Sequence, residues 1–224
     1  MGARPARLWA VRASPFVFGL LALACDPNIV GAPLDSGLIP EDGGPIPDAG
    51  GADYPPGPYG TGVGEVLPNM IFAGYLTPTP AGTPVSGLPY TDPVTLADLR
   101  AAGTYRYLLL NVAAEWCVPC QAEAEVLPGE YSSWAPKGGL VASVLTEDSN
   151  VVLATKRNLD DWIRAYDTNY TMLHDPRGEV SRILAPPTMP LNLVVDLATM
   201  RIVRRQTGDD PEVFVDFEAR LDQR

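Results

Sequence analysis

Apolar and polar positions fall into blocks along the last two thirds of this chain, and the blocks predict elements. Tyr105 to Val112 is an apolar run suited to a central strand buried on both faces. Gly139 to Leu145 and Leu191 to Val195 repeat that pattern. Arg201 to Gln206 reads as the antiparallel neighbour of the latter, joined by a tight turn at Leu197-Ala198-Thr199. Val66 to Tyr75 and Thr171 to Leu173 carry shorter strand patterns, and Thr79 to Pro93 is turn-rich. Leu159, Trp162, Ile163 and Tyr166 recur at helical spacing in a helix predicted over 151–166, with Asn150 as its cap. Further helices are expected from about Val118, over Val94–Ala102 and over Gly178–Leu184. A last helix is expected after Asp209 or Asp210, with Pro211 in its first turn, where a missing N–H does no harm. Strands alternating with helices, then a hairpin and a terminal helix, indicate an α/β layered domain with a mixed sheet. No internal repeat is found.

The first third follows different rules. Residues 1–24 read as an export signal, with Arg4, Arg7 and Arg12 ahead of the apolar stretch Ala13–Ala24. That stretch is about 12 residues, too short to span a bilayer of ~30 Å as a helix. Ala22-Leu23-Ala24-Cys25 is similar to a bacterial lipoprotein cleavage box, which would make Cys25 the lipid-bearing residue. An ordinary signal peptide cut near Ala24, or an uncleaved anchor, are the competing readings. Residues 25–64 are dominated by Pro, Gly and Asp and bury too little apolar area to offset ordering entropy, so they are expected to form a disordered tether. Gly60-x-Gly62-x-Gly64 has no strand before it and no helix pattern after it, so it is linker rather than a dinucleotide fingerprint. The globular domain is expected over residues 65–224.

Charge narrows the partners. The 224-residue chain carries a formal charge of −11, and with the three leader arginines removed 13 basic residues face 27 acidic ones, near −14. No Lys or Arg occurs between Arg12 and Arg100. That argues against nucleic acid and against electrostatic docking on anionic lipid, so membrane attachment would rest on the lipid alone.

The chemistry lies in Trp116-Cys117-Val118-Pro119-Cys120, at the junction of the central strand and the next helix. A thiolate at Cys117 would gain from the unpaired N–H groups and dipole of that helix N-terminus. Cys120 follows one turn on and can attack a mixed disulfide at Cys117. Cys117 is therefore expected to attack, ionised and open to solvent, and Cys120 to resolve. Val118 and Pro119 supply no cation or donor, and Glu115 and Glu123 flank the pair, which favours a reducing dithiol over a strong oxidant. Other readings of the pair are a zinc half-site and an inert disulfide. Zinc needs four ligands, and the sole histidine, His174, is distant in sequence and reads as a strand-end residue, so no metal or other cofactor is expected.

These residues give the chain a resemblance to the thioredoxin superfamily, and more narrowly to exported, membrane-tethered thiol-disulfide reductases of the TlpA/ResA type. The carriers are Asn111 to Cys120 and Pro187-Thr188-Met189-Pro190-Leu191-Asn192. The resemblance implies a thioredoxin fold with a central mixed sheet flanked by helices and an N-terminal strand extension. It implies that Pro190 is a cis-proline facing the cysteines, that Met189 offers its main chain to substrate, and that Trp116 shields the disulfide. It implies that Asn111 and Glu123 tune the thiols, though Glu123 can equally be read as a solvated helix residue. One departure stands out: the family usually places Pro five residues after the second cysteine, where this chain has Glu125, with Pro128 three later. The kink of that helix would shift, or the helix would end earlier.

The resemblance thus implies an enzyme of the bacterial cell envelope, on the periplasmic side, acting on protein thiols and disulfides. It would be a monomer re-reduced by a membrane electron donor. Two alternatives remain at this point. One is a thioredoxin-like binding or assembly module with a structural disulfide. The other is a peroxiredoxin-like peroxidase, which would need Thr and Pro where this chain has Ala114 and Leu110.

Overall fold

Apolar runs with β-branched and leucine side chains meet at the middle of the sheet. Strand β3, Tyr107–Ala113, pairs in parallel with β4, Gly139–Leu145, and antiparallel with β6, Leu191–Asp196. The computed structural model describes residues 54–77, 85–102 and 104–223. The export signal, Cys25 and the tether up to residue 53 lie outside the described residues. Strands β1 (Ile71–Tyr75), β2 (Thr91–Thr95), β5 (Thr171–His174) and β7 (Arg201–Thr207) complete seven, in the order β2-β1-β5-β4-β3-β6-β7. β4 and β5 are parallel and every other remaining pair is antiparallel, the mixed sheet the alternation of elements called for.

Because side chains alternate across a strand, β3 feeds two cores. Leu108, Leu110 and Val112 face one, with Phe72, Leu193 and the short helix α1, Leu96–Ala101. Leu109 faces the other, with Val141, Leu145 and Val194. That second core is covered by α2 (Val118–Trp134), α3 (Lys156–Tyr166) and α4 (Glu212–Asp222). Trp134 sits edge-on to Phe217 at 5.0 Å between ring centres, pinning the end of α2 to α4.

Several expectations need correction. Residues 54–64 are not tether. Tyr54 is buried and its hydroxyl donates to Leu67 O at 2.8 Å. Beyond it, residues 64–67 run along the outer side of β7: Gly64 N donates to Ile202 O, Ile202 N to Glu65 O and Leu67 N to Met200 O. Tyr54 and Tyr59, both packed with the core, outweigh the Pro and Gly around them. Helix α3 starts at Lys156, not at Val151. Thr155 and Asn158 form a reciprocal capping box, while Asp148 accepts from Asn150 N and Val152 N and draws residues 148–152 into a turn. Helix α2 continues through Pro128 to Trp134, held by buried Leu127, Tyr131 and Trp134. Pro211 stands just ahead of α4, with Asp210 accepting from Glu212 N at 3.0 Å. Strand β2 takes the end of the turn-rich stretch and the first two residues of the helix expected from Val94; apart from buried Val94 it is partly exposed and showed no apolar pattern.

Gly74 lets β1 lie against β5. A Cβ there would run into the carbonyl of Met172 and come within 2.7 Å of Leu173 Cα, both backbone atoms that cannot step aside. Gly74→Ala should destabilise by about 1–3 kcal/mol or more, seen as a lower thermal midpoint.

Candidate active site

β3 ends at Ala113, and the chain turns through Ala114, Glu115 and Trp116 into α2, with Cys117 in extended conformation as the helix N-cap. Cys117 and Cys120 form a disulfide. Cys120 N donates to Cys117 Sγ at 3.2 Å, so the first sulfur takes the place of a capping oxygen at the helix N-terminus. The turn is held by its neighbours. Glu115 accepts from Ser149 N, Ser149 Oγ and Asn158 Nδ2, each at 3.0 Å, and Trp116 Nε1 donates to Glu147 at 2.8 Å. The Glu115 carboxylate, expected to oppose a thiolate, is committed to the loop after β4 and the start of α3.

A groove of about 760 Å³ opens on this turn, walled by Trp116, Pro119, Glu147, Pro187 and Met189, with Cys117 in its lining. The Met189–Pro190 peptide is cis, as the resemblance implied, and Met189 packs against the core cluster that holds both cysteines. The first sulfur is not openly exposed, however: Cys117 is 3% exposed and Cys120 1%, whereas Trp116 is 44% exposed. With the bond closed, the two sulfurs are bonded to each other and packed in the core, and Cys117 lines the groove.

Beneath the pair, Glu123 lies one turn beyond Cys120 and is buried, which excludes the solvated reading. Asn111 Nδ2 donates to one of its oxygens at 2.6 Å and Asn192 Nδ2 to the other at 2.8 Å. Burial pushes the Glu123 carboxyl up to about 7. The bonds from Asn192 and Asn111 oppose that rise, and the charge of Asp209 adds to it. Asn192 and Ser143, whose hydroxyl donates to Asn111 Oδ1 at 2.8 Å, were not singled out from the sequence. The available signal was one polar residue in each of three apolar strands. His174 is buried, with Nε2 2.7 Å from Tyr90 Oη and Nδ1 2.8 Å from Ala154 O, and it does not line the groove. Ala114 and Leu110 are both buried apolar residues and place no hydroxyl beside Cys117.

A mixed sheet flanked by helices, with a cysteine pair at the helix that follows its central strand, defines a thioredoxin-type fold. Residues 86–203 match the AhpC/TSA family, and the chain belongs to it. Among individual relatives, the thiol-disulfide oxidoreductase ResA of Oceanobacillus iheyensis is 31% identical over 97 residues, 43% of this chain. The matched region spans 45% of that relative, less than half its length. In fold, the chain is similar to a thiol:disulfide interchange protein from a Bacteroides species, with a TM-score of 0.52 and 17% identity over 72% of this chain and 91% of the other. It is also similar to the thioredoxin domain of a thiol-disulfide oxidoreductase from Bacteroides vulgatus, with a TM-score of 0.52 and 18% identity over 72% and 99%.

Proposed function

We propose that this protein is a thiol-disulfide oxidoreductase working as a reductase on protein disulfides in the bacterial cell envelope. The observation that carries the reading is the Cys117–Cys120 disulfide at the α2 N-cap, with Cys117 in the lining of an open groove of about 760 Å³. In the reduced form the Cys117 thiolate attacks a target disulfide. One S–S bond forms to the target, and the target's other sulfur leaves as a thiolate. Cys120 then loses its proton and attacks Cys117 Sγ, closing the internal disulfide and releasing the second target thiolate. The backbone N–H of Cys120, at 3.2 Å from Cys117 Sγ, stabilises negative charge on the attacking sulfur. Met189 offers its main chain to the bound segment and Trp116 covers the pair. Val118 and Pro119 give the thiolate no further support, which favours the reducing direction. A membrane-bound dithiol donor returns the two electrons, and lipid on Cys25 holds the monomer at the periplasmic side of a membrane. Among the described residues no helix is long and apolar enough to cross a membrane.

The low exposure of Cys117 favours a second reading, a binding module in which the disulfide is a staple. Redox titration separates the two. The enzyme should titrate with a midpoint near −270 mV, a strong oxidant near −120 mV, and a staple should stay oxidised in excess dithiothreitol. Cys120→Ser should accumulate a mixed disulfide with its target, visible as a reducible higher-mass band. Its absence in the presence of a protein disulfide that the wild type reduces would reject the assigned roles.

A further inference from the structure

The groove over Cys117 is mostly apolar, with Trp116, Val118, Pro119, Pro187 and Met189 in its wall, yet one lining residue is charged: Glu147. No Lys or Arg joins that lining. The basic side chain next to a lining residue, Arg182 beside Ser181, is turned to Glu179 Oε1 at 3.1 Å. The opposite wall leads to acid rather than base. Thr188 stands close to Gly208, where an added Cβ would come within 3.8 Å of the Thr188 methyl. From Gly208 the chain runs on into Asp209 and Asp210.

Glu147 is also the acid on this side that keeps capacity to spare. Asp148 is taken up by Asn150 N and Val152 N, and Glu115 by Ser149 and Asn158. Glu147 Oε2 accepts from Trp116 Nε1 at 2.8 Å, and among the described residues nothing donates to its Oε1. Its main chain is fixed from both sides: Glu147 O accepts from Glu115 N at 3.0 Å, and Glu147 pairs with Leu153 across the turn built on Asp148. A carboxylate held this way loses little freedom when a cation arrives. Apolar walls around it concentrate its field on the groove.

We propose that Glu147 is a specificity-determining residue: it selects target disulfides that carry a Lys or Arg close to the attacked cysteine. The proposal deepens the oxidoreductase reading and rests on it. The incoming cation meets Glu147 Oε1. Trp116, its indole N–H bound to the other oxygen and its ring 44% exposed, receives the aliphatic stem of the same side chain. A segment with Asp or Glu in that place meets an unneutralised carboxylate and is disfavoured.

The test uses two disulfide-bridged peptides that differ only in the residues flanking the cysteines, Lys in one and Glu in the other. The reduced full chain should act on the Lys peptide with a kcat/KM about fivefold higher, the upper end for a solvent-exposed ion pair. The preference should shrink in about 0.5 M salt. In Glu147→Gln the amide oxygen can still accept from Trp116 Nε1, so the charge leaves while the geometry stays, and the preference should fall below about twofold. Glu147→Lys should invert it and serves if the glutamine variant does not fold. Binding is read separately: the oxidised chain is titrated with the same peptides carrying Ser for Cys, followed by the Trp116 indole N–H signal in NMR. The Lys peptide should bind about fivefold tighter to wild type, and with no such advantage to Glu147→Gln. Equal binding of the two peptides by wild type, no binding of either, or a preference that survives in a folded Glu147→Gln overturns the proposal. Should wild type bind the peptides selectively but reduce neither, the functional reading falls while the charge preference stands.

Discussion

Cys117→Ser should leave a folded protein with no disulfide reductase activity, its rate on a protein disulfide falling to the uncatalysed background. Serine keeps the size and capping ability of the N-cap position, so α2 should form as before. Only one small ring is lost with the cross-link, worth roughly 2 kcal/mol on the chain-entropy account, and the two extensive cores remain. What disappears is the cysteine sulfur in the lining of the groove. Cys120, 1% exposed and outside that lining, cannot take over the first attack. The comparison with Cys120→Ser makes the assignment directional: one variant never joins to the target and the other never lets go. Insulin reduction followed by turbidity, with circular dichroism as the check on folding, measures both. Residual activity in Cys117→Ser above background would assign the first attack elsewhere.

The second large effect is on stability. Glu123 has its folded-state pKa raised to about 7 from an ordinary 4.5, chiefly by burial. Below about pH 4.5 the carboxyl is neutral whether the chain is folded or not, and folding is unhindered. As pH rises, the unfolded chain ionises first, so the folded state binds the extra proton and unfolding becomes easier. The loss is complete once pH passes about 7, and it amounts to roughly 3 kcal/mol. Urea unfolding of the oxidised protein at intervals from pH 4 to 8 should show this fall, and the difference between wild type and Glu123→Gln should isolate it. A pH-independent difference would mean that Glu123 ionises in the fold as it does in water.

Much of the architecture was legible because burial on both faces leaves a simple mark. β3, β4 and β6 are apolar runs, and β7 follows its partner after a short turn. The cysteine pair was legible from a short pattern with a chemical reason behind it, and the cis bond before Pro190 came only through the resemblance. Other features depend on contacts that no local pattern carries. Val151, Val152 and Leu153 look like the start of a helix, yet all three are exposed in a loop, and the capping box four residues later sets the true start of α3. β2 is a short edge strand in which only Val94 is buried, so a single apolar position leaves no alternation to read. Tyr54 lies in a stretch whose composition argues for disorder, and only its pocket shows why it is ordered. Asn192 and Ser143 looked like isolated interruptions of apolar strands. Their meaning comes from register, which sets them on either side of Asn111.

The two rims of the sheet are finished differently, and the finish bears on solubility. At one rim, residues 64–67 occupy the hydrogen-bonding positions of Ile202 in β7 and of Met200 just before it. At the other, five-residue β2 carries Pro93, which has no N–H to lend to a newcomer. Neither rim offers a long, flat template to a stray extended chain. The sheet thereby ends without an invitation to edge-to-edge pairing between copies of the chain.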